Sequence, residues 1–346
     1  MIDYRKFCIE KSKNLRTAMK QLDETSKKIL FVTEDERLVA SLTDGDLRRY
    51  LLSGGAMNDL AFSAANKSPY TTRDRKEAMN FLRNAEYMAV PITTLDGRIT
   101  DILFADERQD ASYPQIGLPV VIMAGGKGTR LEPYTKILPK PLIPIGDLPI
   151  IEHIMQQFSR YGCNEFHVIV NHKKELIKAY FSENDCHYNI HWYNEDKPLG
   201  TGGGLYMLKE KMNGSFFLTN CDVLIQADYS DLFGFHRTNC NIVTMVCAYK
   251  NIVIPYGVVD TGDQGEIVAM KEKPEISFQT NTGMYLVESK ALDSIENSVA
   301  CSFPDIIEKL KRDGQRVAAY PISENDWLDM GQMTELEKMR KRLYGE

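Results

Sequence analysis

No stretch of the 346-residue chain approaches the ~20 consecutive apolar residues of a membrane-crossing helix. Met1 to Glu10 is charged and lacks the apolar heart of a secretory leader. Cysteine is scarce and unpatterned, with seven residues at 8, 163, 186, 221, 240, 247 and 301 and no Cys-x-x-Cys pair. An odd, scattered set suits reduced thiols, so we expect a cytoplasmic protein without a membrane partner. A basic excess is missing as well. The chain has 42 basic and 48 acidic residues, well mixed, for a net charge of −6, which excludes a broad electrostatic hold on nucleic acid. Any anion binding must be local. Cys186, His187 and His191 lie close in sequence, but Tyr188, Ile190, Trp192 and Tyr193 favour a strand there, and no metal site is assigned to them.

Apolar residues make up 43% of the chain, enough for packed cores, and the length suits two domains. The most informative stretch is Ile122 to Leu142. The apolar run Leu118 to Met123 predicts a buried strand, and it opens into a loop carrying Gly125, Gly126 and Gly128. Three glycines in four positions let the backbone approach a ligand, and successive N–H groups can cradle phosphate oxygens. Arg130 and Lys140 add two cations, as a triphosphate losing pyrophosphate would require. A flexible turn with two surface cations would explain neither the preceding strand nor the prolines, Pro139 and Pro141, that bracket Lys140. The loop is not a Walker A loop, because no Gly-Lys-Ser/Thr closes it, and it is not Gly-x-Gly-x-x-Gly.

The phrases Ala-Gly-Gly-Lys-Gly-Thr-Arg-Leu and Leu-Pro-Lys-Pro-Leu closely resemble the signature of the sugar-1-phosphate nucleotidyltransferases. Their wording is most like the mannose-1-phosphate guanylyltransferase branch. From Leu118 onward strands and helices alternate, which predicts an α/β, doubly wound and mostly parallel sheet with ligands at the carboxyl ends of its strands. This domain is expected over 117–346. Residues 117–346 contain no hexapeptide repeats.

Upstream, residues 1–112 read as two copies of a β-β-α unit, about 1–62 and 63–112. Lys28 to Val32 and Leu38 to Leu42 are predicted strands of the first copy, followed by a helix starting at Thr43-Asp44-Gly45-Asp46. In the second, Lys76 to Asn84 is a predicted helix, with strands at Ala89 to Thr93 and Ile99 to Phe104. The repeat resembles a pair of CBS motifs in a smaller α+β domain. That resemblance implies a regulatory or dimerising module, a homodimer or larger assembly, and an adenosine nucleotide held at Asp44 or Asp46. The plain alternative is that these aspartates only cap a helix.

Two apolar stretches end in carboxylates: Phe216 to Val223 carries Asp222, and Trp327-Leu328-Asp329-Met330-Gly331 carries Asp329. A hard oxygen donor at a strand end suits Mg²⁺, and the resemblance implies that this pair holds the catalytic magnesium. It also places the nucleotide along Ala124, Gly125, Gly126, Gly128, Thr129, Arg130, Glu195, Gly200 and Thr201. The sugar phosphate falls to Gly257, Glu272, Lys273, Asn281 and Gly283. Read alone, Lys271-Glu272-Lys273 is a solvated charge run. Glu195 bears on the base, because a carboxylate can accept from guanine N1 and N2 together. The expected reaction is transfer of a nucleoside monophosphate, GMP favoured, from NTP to a hexose-type sugar 1-phosphate for surface glycan biosynthesis. Arg130 and Lys140 would be catalytic, and no catalytic histidine is required. UTP or CTP as donor, or a catalytically silent nucleotide-sugar sensor, are the alternatives.

Overall fold

The computed structural model describes residues 3–25, 27–84, 88–105, 113–183 and 188–344. They fall into two compact units, Met1–Ser112 and Tyr113–Glu346.

The first unit runs β1 (Cys8–Glu10), α1 (Leu15–Thr25), β2 (Ile29–Glu34), β3 (Arg37–Thr43), α2 (Asp44–Leu52), α3 (Ala61–Ala64), α4 (Arg75–Asn84), β4 (Ala89–Thr93) and β5 (Ile99–Phe104). β1, β2 and β3 form one sheet and the β4–β5 pair another. The two halves share a core in which Phe7, Ile29 and Phe31 meet Ala89, Ile99 and Ile102. Helix α2 starts at a capping box: Asp46 N–H donates to the Thr43 hydroxyl, and the Asp46 carboxylate accepts from Thr43 N–H at 2.9 Å. This reciprocal cap satisfies two of the helix's orphan donors. The Asp44 carboxylate pairs with buried Arg48, and Asp46 also pairs with Arg49. Asp44 and Asp46, one or other of which was expected to meet a ribose, are thus both engaged by their own helix.

The second unit continues with β6 (Val120–Ala124), α5 (Tyr134–Ile137), the two-residue strands β7 (Pro144–Ile145) and β8 (Leu148–Pro149), and α6 (Ile150–Ser159). Next come β9 (Glu165–Val170), α7 (Lys174–Glu183), β10 (Asn189–Asn194), β11 (Ser215–Asn220), β12 (Val223–Ile225) and α8 (Tyr229–Thr238). The chain closes with β13 (Val243–Val253), β14 (Val258–Thr261), β15 (Ile267–Lys271), β16 (Glu275–Glu288), α9 (Phe303–Arg312), β17 (Val317–Ile322), β18 (Trp327–Asp329) and α10 (Met333–Tyr344).

Seven strands make the central sheet in the order β10-β9-β6-β11-β16-β13-β17. Neighbours are parallel except along β16, which runs antiparallel to both β11 and β13. Every residue of β6 is buried, as for a strand covered on both faces. On one face Val121, Met123, Leu218 and Tyr285 pack with Phe303, Ile306, Ile307 and Leu310 of α9. Those four recur at the i, i+3, i+4, i+7 spacing of an amphipathic stripe, and burying each contributes roughly 1.5–3 kcal/mol. On the other face the Phe158 ring of α6 lies 5.2 Å from Phe217 and 4.9 Å from Tyr229.

Two elements depart from the alternation of strands and helices in a parallel sheet. Gly203–Leu208 forms only a 3₁₀ stretch. Its first two residues are glycines, poor helix formers, and a Cβ on either would strike Val299 O or the Glu195 carboxylate. The second is β16, a fourteen-residue strand that runs antiparallel to both its neighbours in the otherwise parallel sheet.

Candidate active site at the carboxyl ends of the strands

β6 and β11 are parallel neighbours, with Asn220 in register with Met123, so the loops that leave both strands emerge at the same end of the sheet. After β6 comes the glycine loop. Gly128 has φ +67°, and a Cβ there would approach Thr135 Cγ2 at 2.9 Å and Lys140 Cβ at 3.1 Å, so this turn requires glycine. The loop is tied down behind. The Thr135 hydroxyl donates to Gly128 O, and Lys173 Nζ donates to the carbonyls of Thr135, Lys136 and Ile137 at 2.6–3.0 Å. Gly126 has open space where a side chain would be.

Asp222 and Asp329 stand far apart in sequence but meet through the β12–β18 ladder. Val223 pairs with Asp329 there, and Met330 N–H donates to Asp222 O at 2.9 Å. Asp222 forms an ion pair with Lys140. Burial raises the Asp329 pKa, and the Asp222 charge beside it raises it further, against a Gly331 N–H donated to its Oδ1 at 2.7 Å. The two carboxylates thus stand side by side as a pair of oxygen donors, with Lys140 against Asp222.

A cavity of about 330 Å³ gathers Arg130, Lys140, Thr201, Asp222, Asn281, Gly283 and Asp329. Gly283 and Asn281 reach it through an irregularity in β16. Between Met245 and Cys247 of β13 the register advances by two residues, while β16 advances by four, from Tyr285 to Asn281. Such a bulge re-aims the side chains beside it. Gly283 has φ +85°, and a Cβ there would lie 2.5 Å from Asn220 Nδ2. Asn281 is partly committed already, donating to the Tyr285 hydroxyl and accepting from Gly283 N–H.

Glu195 comes directly after β10 and is only 6% exposed. Its Oε1 has no hydrogen-bond partner, burial raises its pKa, and one N–H from Leu199 opposes that rise. Gly125 and Gly204 leave it room: a Cβ on either would stand 2.9 Å or 2.4 Å from its oxygens. Asn171 fixes the backbone here by donating to Glu195 O. The glycines of the turn itself serve the protein. Gly200, Gly202 and Gly203 are pressed against the backbone of residues 299–302, and the Thr201 hydroxyl accepts from Phe303 N–H.

Ala124 ends β6 and is buried, while Thr129 and Arg130 lie in the exposed turn after Gly128. Gly257, Glu272 and Lys273 do not line the cavity; they are exposed, at the root of the β14–β15 hairpin. Sequence reasoning missed Asn220, Asn171 and Lys173. Asn220 was the recoverable one, since it ends the same apolar strand that precedes Asp222. Of the histidine group, His191 lies on β10, while Cys186 and His187 fall outside the described residues.

Residues 119–344 match the family model described as nucleotidyl transferase. The chain belongs to that family. Among its relatives, the mannose-1-phosphate guanylyltransferase of Mycobacterium tuberculosis is 32% identical over 217 residues, covering 61% of this chain and 60% of that protein. The UTP–glucose-1-phosphate uridylyltransferase of Synechocystis is 31% identical over 238 residues, 62% of this chain and 61% of that one. The chain thus spans about three fifths of the length of these curated relatives. The fold also matches the crystal structure of HddC from Yersinia pseudotuberculosis, with a TM-score of 0.52 at 21% identity over 65% of this chain and 99% of that one. As a nucleotidyl transferase, the chain carries its family match wholly in the second unit.

Proposed function

We propose that this chain transfers a nucleoside monophosphate from a nucleoside triphosphate to a sugar 1-phosphate and releases pyrophosphate. The observation that carries the reading is the convergence of Arg130, Lys140, Asp222 and Asp329 on one cavity beside the glycine loop. Relatives named for mannose-1-phosphate and glucose-1-phosphate transfer support the same class.

The two carboxylates suit Mg²⁺, a hard ion that takes oxygen donors. Bound there, it would neutralise charge shared by the α-phosphate and the incoming phosphate. The rest falls to the protein. A phosphate oxygen of the sugar phosphate forms a bond to the α-phosphorus while the bond to the bridging oxygen of the leaving pyrophosphate breaks. Arg130 and the loop amides hold the leaving group, and Lys140 stabilises the crowded α-phosphate. The nucleophile needs no general base, because a phosphomonoester with a second pKa near ~6 is already an anion at neutral pH.

GTP is the favoured donor. The support is Glu195, a buried carboxylate between Gly125 and Gly204 with one oxygen lacking a hydrogen-bond partner. It flanks the cavity rather than lines it, and it is the kind of acceptor that guanine N1–H and N2–H satisfy. Relatives named as guanylyl and uridylyl transferases keep UTP as the second reading. The first unit is proposed as a CBS-like regulatory or dimerising module. An adenosine nucleotide there would have to compete with the internal pairs of Asp44 and Asp46.

The test is pyrophosphate release across four NTPs and a panel of hexose, hexosamine and heptose 1-phosphates, with Mg²⁺. Release with GTP and at least one sugar 1-phosphate is the expected result. Silence across the grid would leave a sensor of nucleotide sugars.

A further inference from the structure

At the other end of the same sheet, β9 and β10 pair in parallel with His167 directly opposite His191. Glu165 lies two residues before His167 and therefore on the same face. The Nε2 atoms of both histidines point at one oxygen, Glu165 Oε1, at 3.1 Å from His167 and 3.6 Å from His191. The three donor atoms all lie within 4.8 Å of one another. The imidazole rings stack at 4.8 Å between centroids. His167 is held from behind, its Nδ1 lying 3.0 Å from the buried Tyr193 hydroxyl.

We propose that Glu165, His167 and His191 form a binding site for a borderline divalent ion of the Zn²⁺ class, clamping edge strand β10 to β9. Two ligands of a tetrahedral ion at ~2.0–2.2 Å stand roughly 3.3 Å apart, and two of the three separations bracket that value. The third would close by rotation of the His191 ring, whose side chain is 43% exposed. That exposure also leaves water access to the remaining coordination positions. Two imidazoles and a carboxylate select Zn²⁺, Co²⁺ or Ni²⁺ over Mg²⁺. The Tyr193 contact on Nδ1 is the outer-shell partner that fixes a ligating ring. The Lys211 ammonium, 4.6 Å above the Tyr193 ring, weighs against a second positive charge on this face. A carboxylate in the ligand set offsets it.

The site is distinct from the Asp222–Asp329 pair, since it lies at the amino ends of β9 and β10 whereas the cavity lies beyond the carboxyl ends of β6 and β11. The full chain in millimolar Mg²⁺, which occupies hard oxygen sites, is titrated with Zn²⁺ and with Co²⁺. The wild type is expected to bind one more equivalent than His191→Gln, to show Co²⁺ ligand-field bands of low coordination number, and to melt at higher temperature with Zn²⁺. Glu165→Gln should weaken binding by about 10-fold or more. Turnover of His191→Gln should match wild type in Mg²⁺. Because His191 is half-exposed, its variant should fold; circular dichroism checks this. Equal stoichiometry and affinity in wild type and folded His191→Gln would overturn the proposal, as would no Zn²⁺ bound at tens of micromolar.

Discussion

The two walls proposed for nucleotide and sugar flank the cavity rather than line it, and they are built by opposite means. On the proposed nucleotide side the residues are held by close packing: Glu195 is buried, Gly128 is wedged against Lys140 and Thr135, and Lys173 pins three loop carbonyls. On the proposed sugar side, beyond the β16 bulge, the chain extends into an arm whose large apolar residues face water. Ile252, Tyr256, Ile267, Val268 and Met270 are all more than half exposed, and Glu272 and Lys273 stand among them. A wall whose geometry is fixed in advance can discriminate by what it leaves unsatisfied; one held by few contacts can only discriminate by what it adds. Base selection should therefore be stringent and sugar selection permissive.

The largest expected effect lies between the walls. Asp222→Asn and Asp329→Asn should each lower turnover at least ~100-fold with little loss of thermal stability, measured by initial rates and melting. Near wild-type turnover in either would remove the shared-cation role. Next comes the nucleotide wall. Glu195→Gln should cost GTP use more than UTP use by roughly 1–3 kcal/mol in kcat/KM, and an equal loss would show that the buried carboxylate does not read the base. The same residue gives a pH signature. Burial raises its pKa, so it takes up a proton above the usual carboxylate range. The GTP-over-UTP preference should thus decline on acidification before free carboxylates titrate. Stability moves the other way: a raised folded pKa means that folding favours the protonated form, so this group stabilises the fold more as pH falls.

A smaller effect is expected on the sugar wall. Lys273→Ala should raise the KM for sugar phosphate about 10-fold while leaving the nucleotide KM unchanged, as for a surface phosphate contact. The smallest concerns the first unit, where no residue of the proposed chemistry lies. A fragment beginning at Tyr113 should keep its transfer rate within about two-fold, while any response to AMP, ADP or ATP should be lost with the unit, because coupling needs two sites.

What could be read in the sequence tracks the reach of local chemistry. The glycine loop, the paired prolines around Lys140 and the Thr43–Asp46 helix start are each written within a few consecutive residues, and the alternation of strands and helices announced a layered sheet. The pairing of Asp222 with Asp329 was not legible from pattern. It depends on β12 and β18, three residues each and too short to show a period, and it entered only through resemblance. β16 was hidden because Asn281 and Gly283 punctuate it like a turn, where the structure has a bulge. Glu195 was singled out as a carboxylate that could accept from a base, but nothing in its neighbourhood of sequence showed that it is interior. Only the glycines packed around it, 70 residues before and nine after, make it interior. The His167–His191 pair was invisible for the same reason, since a helix separates strands whose register no spacing rule records.

The β16 bulge divides one continuous strand into two lifetimes. From Met284 to Val287 the residues are buried between β11 and β13, so their amides can exchange with solvent only when the sheet itself opens. From Glu275 to Gln279 the strand is paired only with β13, and its amides are released by fraying of the arm alone. The unladdered residues at the bulge interrupt the transmission of that fraying. Hydrogen exchange along a single fourteen-residue strand should therefore fall into a fast half and a slow half, with the step at Thr282 and Gly283. The arm can come and go at the tempo of a loop while the strand that carries it keeps the tempo of the core.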